Sequence, residues 1–242
     1  MTRYGAIAML SLLLAGCDTF PPEGKQNTVD GASISSVTQI PMSEGTRTIT
    51  LDPLRKPVEG QFIIADVLSY GGEKAITTSP PDWKLLRSES AGFVHQSIYS
   101  HAIQSNDHGS NVWTFDRVVK AQGTVIVLDN VALDAPVDTT SANVGNPGIA
   151  TKPIVTSSDG DLIIAFFATD FLGTGLGPEL PADMIAIADQ EAKPFEYWIL
   201  GTYQALKGET TAVKCPSGQL YNMIAAQIAI RRKAASAARP AG

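Results

Sequence analysis

The stretch "EGQFIIAD" at residues 59–66 returns one hundred residues later as "DGDLIIAF" at 159–166. The fuller runs, "FIIADVL" and "LIIAFFA", do not alternate apolar with polar residues as a half-exposed strand would. A strand that is apolar on both faces belongs in the middle of a sheet, with a second layer or a long loop over its outer side. Two such strands at one offset make the rest of the chain worth reading as two copies of one plan.

From Ile34 onward, short β-rich runs alternate with Gly, Pro, Asp and Ser. They include 33–40, 46–51, 61–70, 83–88, 95–103, 111–116 and 123–129 in the first half. The second half offers 151–157, 161–169, 184–189, 196–206, 210–214 and 222–232. Regular short strands with no sustained helical period predict an all-β sandwich or barrel. The run "NMIAAQIAIRR" (222–232) has the alanine content of a helix, but its isoleucines favour a strand. Further landmarks keep the same offset: "SPPDWKLL" (79–86) against "ELPADMIAIA" (179–188), Trp113 against Val213, and "VIVL" (125–128) against "AAQI" (225–228). The expectation is a two-sheet antiparallel β-sandwich with an internal pseudo-repeat, each sheet burying its apolar face on the other. Trp83 and Trp113 read as core anchors because both stand in strand context.

The front of the chain has a different character. Arg3 precedes an uncharged stretch, Tyr4 to Gly16, and Cys17 follows it. A positive residue, a short apolar run and small residues before a cut describe a secretory signal. The run is too short to span a bilayer, which takes roughly 20 apolar residues. The order Leu14-Ala15-Gly16-Cys17 resembles the lipobox of bacterial lipoproteins. That resemblance implies cleavage between Gly16 and Cys17 and a diacylglyceryl group on the Cys17 thiol. It further implies a lipid-anchored protein on the extracytoplasmic face of a membrane. Asp18, by resemblance to enterobacterial lipoproteins, implies retention in the inner membrane, with the outer membrane as the alternative. Two acyl chains, at about 0.8 kcal/mol per buried methylene, hold a protein where one holds it only marginally. Residues 17–32, with two prolines and scattered polar residues, read as a tether. The expected organisation is a signal peptide (1–16), the tether (17–32), the sandwich (33–231) and a basic, disordered tail (232–242).

Loss of residues 1–16 removes Arg3 and takes the formal net charge from −6 to −7. A mildly acidic chain lacks the basic footprint of a nucleic-acid-binding protein. With Cys17 acylated, Cys215 has no partner within the chain, so the fold is expected to stand without a disulfide.

The series "GQFIIADVLSYGG", "SPPDWKLL", "HQSIYSHAI", "VWTFD", "VLDNVALDAPVD" and "AAQIAIRR" looks like a jelly-roll module of bacterial surface proteins and phage tail-associated proteins. The resemblance spans roughly Ile34 to Arg231. Asp82 replaces the family's glycine before the tryptophan, and "VLDNVALDAPVD" lacks its tyrosine-glycine pair. The resemblance implies an adhesive or display module and carries no set of catalytic residues.

Residues suited to catalysis or metal binding are few and scattered. His95 and His101, six apart on one strand, share a face but lie about 20 Å apart, too far to share a metal or a proton; His108 follows in a loop. Acidic turns at 157–162 and 128–138 offer oxygen atoms without the alternating spacing of a calcium loop, and Asp159-Gly160 reads as a tight turn. The glycines of 171–181 lack a phosphate-loop lysine. No cofactor, metal or catalytic set is expected. The functional expectation is a non-catalytic envelope module binding a glycan or a protein, through loops 71–82, 104–110, 139–148 and 170–182. The alternatives are a glycan hydrolase, which needs two facing carboxylates about 5–10 Å apart, and a structural subunit of a surface or phage-related assembly.

Overall fold

The structure is a computed structural model describing residues 31–71, 76–105, 107, 111–145, 150–169, 184–192, 195–203, 206–214 and 222–234. The first sheet runs, from edge to edge, β1 (Ser33–Ile40), β7 (Val112–Asp129), β3 (Phe62–Tyr70), β6 (Val94–Ala102) and β5 (Lys84–Ala91). The second runs β8 (Val137–Gly145), β14 (Met223–Ile230), β10 (Leu162–Thr169), β12 (Phe195–Tyr203) and β11 (Ile185–Ala192). Every pairing is antiparallel. The two orders are one topology used twice: β1, β3, β5, β6 and β7 correspond to β8, β10, β11, β12 and β14.

Details of register repeat as well. Ser35 is a bulge residue between Ile34 and Ser36 on β1, and Asp138 is its counterpart between Val137 and Thr139 on β8. Leu86 on β5 and Ile187 on β11 are a second matched pair of bulges, and both pack against the central core. Across the sandwich β5 lies against β8, and β1 against β11. These two contacts exchange under the correspondence, as a two-fold axis parallel to the strands and between the sheets requires. The expected alignment of 125–128 with 225–228 is corrected by two residues: Ile126 pairs with Ile64 as Ile228 pairs with Ile164.

Alternation along each strand builds two kinds of core. Phe62, Ile64, Leu68, Ile126 and Leu128 meet Leu162, Ile164, Phe166, Ile228 and Ile230 between the sheets. The other face of β3, with Ile63, Ala65 and Val67, is buried beneath Ile49, Ile76, Trp83, Trp113 and Phe115. This is the outer layer that the doubly apolar strands demanded. It forms because β7 is long: its first part pairs with β2 (Thr46–Thr50) and β4 (Ile76–Thr78), and its last part lies in the sheet. The two strands expected at 111–116 and 123–129 are therefore one. In the second half Phe167, Met184 and Val213 form the corresponding outer cluster. There the runs 151–157 and 210–214 contribute only β9 (Val155–Thr156), paired with β13 (Gly208–Glu209), and a bridge from Ala150 to Lys214.

Residues 222–232 are a strand through Ile230, as expected. The expected loop at 139–148 is corrected: β8 runs through it to Gly145, an edge strand whose half-buried "VDTTSANVG" reads as polar.

Candidate functional site

Cys17, with Gly16 before it and Asp18 after it, lies outside the described residues, as do Cys215, His108 and the glycine-rich segment 171–181. The two acidic turns are described, and the structure brings them together. Asp138, set on its bulge, accepts hydrogen bonds from the backbone and hydroxyl of Ser157 and from the Arg231 guanidinium. Asp161 is fully buried against it. Burial pushes the Asp161 carboxyl up to about 7, assisted by Asp138 and opposed by Arg231 and Arg232. Burial also acts upward on Asp138, but the Ser157 and Arg231 hydrogen bonds outweigh it and hold that carboxyl at about 2. Below about pH 7 the pair thus holds one proton, on Asp161. The cation gathered by these turns is the guanidinium of Arg231.

The first half carries a version of this clasp in which the Gln61 amide, and no guanidinium, is the donor. Gln61 Nε2 donates to Asp129 Oδ1 at 2.8 Å and to the hydroxyl of Ser35, the equivalent bulge residue, at 3.4 Å. Both clasps lie at one pole, where β1, β3, β8 and β10 begin. The halves are joined there by a bridge from Val131 to Arg232 and a bond from Lys233 N–H to the Asn130 carbonyl. Asn130 adopts φ 58°, a left-handed turn that an asparagine tolerates.

The histidines occupy separate places on the outer face of the first sheet. His95 is buried among hydroxyls: Ser90 Oγ is 2.7 Å from Nδ1, while Ser97 and Ser88 lie 3.0 and 3.2 Å from Nε2. His101 faces Asp107 Oδ2 at 2.8 Å and the Asp82 carbonyl at 2.9 Å, its ring 5.4 Å from that of Trp83. Trp83 in turn meets Trp113 edge-on at 5.2 Å and donates to Asn111 Oδ1. Both tryptophans are buried, as expected of core anchors.

At the opposite pole the β5–β6 hairpin carries Phe93, which is 61 % exposed, with Tyr70 5.9 Å away. Val118, 62 % exposed, projects from the same end, beside Gly45. The aromatic tip escapes sequence reading because "AGFVH" looks like any tight turn between strands.

A further polar group was missed because it hides inside "FIIADVL". Asp66 is 1 % exposed on the inward face of β3, accepting from Gln96 Nε2 at 3.0 Å. Burial pushes its carboxyl up to about 7, against the lowering effect of Gln96. Comparing the two halves position by position is the signal that finds it, since Phe166 stands at the same place in the copy.

No protein-family model matches this chain, and no curated protein or solved structure matches it. The class that the fold defines is an all-β, two-sheet antiparallel sandwich made of two topologically equivalent halves.

Proposed function

We propose that this chain is an envelope lipoprotein, anchored through lipid on Cys17, whose sandwich is a non-catalytic module for binding or display. The observation that carries the reading is the polarity of the sandwich. The chain enters β1 at the pole that holds both clasps, while Phe93, Tyr70 and Val118 stand at the other. Tethered at Ser33, the body turns its aromatic tip away from the lipid. Fifteen residues separate Cys17 from Ser33, enough when extended to reach about 50 Å from the headgroups. Exposed aromatic side chains are suited to the apolar face of a sugar ring or to a protein partner, and sandwich loops are where such partners are commonly held.

Two measurements test the two parts of this reading. Cys17→Ser should abolish acyl labelling and release the protein from the membrane fraction; labelling that persists refutes the anchor. The full-length chain should retain an envelope glycan or envelope protein on an array, and Phe93→Ser should lose it at unchanged stability. Retention unaffected by Phe93→Ser removes the aromatic tip from the binding surface.

A further inference from the structure

The inward face of the first sheet carries a polar seam that its copy lacks. Gln96 on β6 and Gln122 on β7 both stand directly opposite Leu68 of β3, and Asp66 lies two residues earlier on the same face. All three are at most 2 % exposed. Gln96 spends its amide on Asp66 Oδ2, yet Asp66 Oδ1, Gln96 Oε1 and both polar atoms of the Gln122 amide have no hydrogen-bond partner among the described residues. The equivalent register positions of the second half are Phe166, Tyr197 and Ile224. The sandwich is therefore built once without these groups, so the fold itself does not require them.

Buried polar atoms are almost always paired, with protein or with ordered water. We propose that the seam is an internal water-binding site, in which ordered water bridges Asp66, Gln96 and Gln122 across the middle strand of the first sheet. The donor and acceptor inventory selects water over a cation. The unpaired set holds three oxygens and one amide NH2 group, and water supplies two O–H groups and lone pairs to meet both kinds. A cation would meet only the oxygens and would be repelled by the Gln122 amide hydrogens. Burial on all sides limits the occupant to a molecule of that size. Around the seam, Thr124 stands directly opposite Asp66 on the same inward face, and Ile64, Leu68, Ile98, Ile126, Phe166, Ala168 and Ile224 belong to the apolar core between the sheets. None of these is titratable, and among the described residues none hydrogen-bonds Asp66 Oδ1, so ordered water can serve that oxygen.

The test uses the full-length protein and water itself as probe. Nuclear Overhauser transfer from long-lived water to the Gln122 side-chain amide protons is expected in the wild type. In Gln122→Leu, water transfer to the Gln96 amide should weaken or vanish. A resolved Gln122 amide without water transfer overturns the proposal, and this wild-type measurement decides even where a variant fails to fold. Unchanged transfer to Gln96 in a folded Gln122→Leu protein overturns the bridge between the two strands.

Discussion

Phe166 stands in the second sheet at the register position that Asp66 holds in the first. Phe166 is flanked by Ala226 and Ile199, and Asp66 by Thr124 and Ile98. One scaffold position thus accepts a buried ring in one half and a buried carboxyl in the other. The ring adds to the central core, whereas the carboxyl makes stability depend on pH.

Stability should fall as pH rises from about 4 to about 7 and level off above that. The folded protein holds the Asp66 proton up to about 7, whereas the unfolded chain releases it in the ordinary carboxylate range near 3.8. Folding therefore favours the protonated side chain, and the gain disappears as pH climbs through the folded value. Asp161 acts in the same direction, while Asp138, held at about 2, adds stability that is lost only toward pH 2. Asp66→Asn should remove up to about 3 kcal/mol of the decline between pH 4.5 and 8, each tenfold change in proton affinity being about 1.4 kcal/mol. Urea midpoints at the two pH values measure it, and an unchanged slope would mean that Asp66 does not titrate inside the sheets.

Gly123→Ala should destabilise the first half by about 1–3 kcal/mol through overpacking. A Cβ at this position would lie 2.7 Å from Leu51 Cδ2 and 2.8 Å from the Asp66 carbonyl oxygen. Leucine can yield, but the carbonyl belongs to the central strand β3 and cannot. Chemical denaturation of the variant gives the number; a loss below about 0.5 kcal/mol would show that β7 and β3 can separate at little cost.

Trp113→Ala should cost about 3–5 kcal/mol, and more than Trp83→Ala. Trp113 is fully enclosed, in ring contact with Trp83 and Tyr99, whereas Trp83 keeps 8 % of its surface exposed. Equal midpoints for the two variants would place the centre of the outer cluster elsewhere.

Neither half should fold by itself. The fragments 31–132 and 133–234 would each expose one side of the shared core, with Phe62, Ile64 and Ile126 on one fragment and Ile164, Phe166 and Ile228 on the other. Mixing them should restore near-ultraviolet dichroism that each lacks alone. Independent cooperative unfolding of either fragment would replace the single sandwich by two small domains.

Features that depend on residue pattern along the chain are legible before folding is considered. "FIIADVL" and "LIIAFFA" lack a polar face, so they were legible as central strands needing cover on both sides, and the cover is there. The isoleucines of 222–232 marked β14 as a strand, and the hundred-residue offset announced the duplication. What depends on the neighbour of an element was not legible. The edge strand β8 has little apolar surface to betray it, because its faces are only half-buried. The single long β7 looked like two strands because its two parts pair in different layers. The clasp of Asp138, Asp161 and Arg231 joins residues as many as 93 positions apart, and no local spacing encodes it. Which of the two apolar faces of β3 carries Asp66 inward follows from the packing of the two sheets. A carboxyl takes its chemistry from what surrounds it, and those surroundings come from strands far away in the chain.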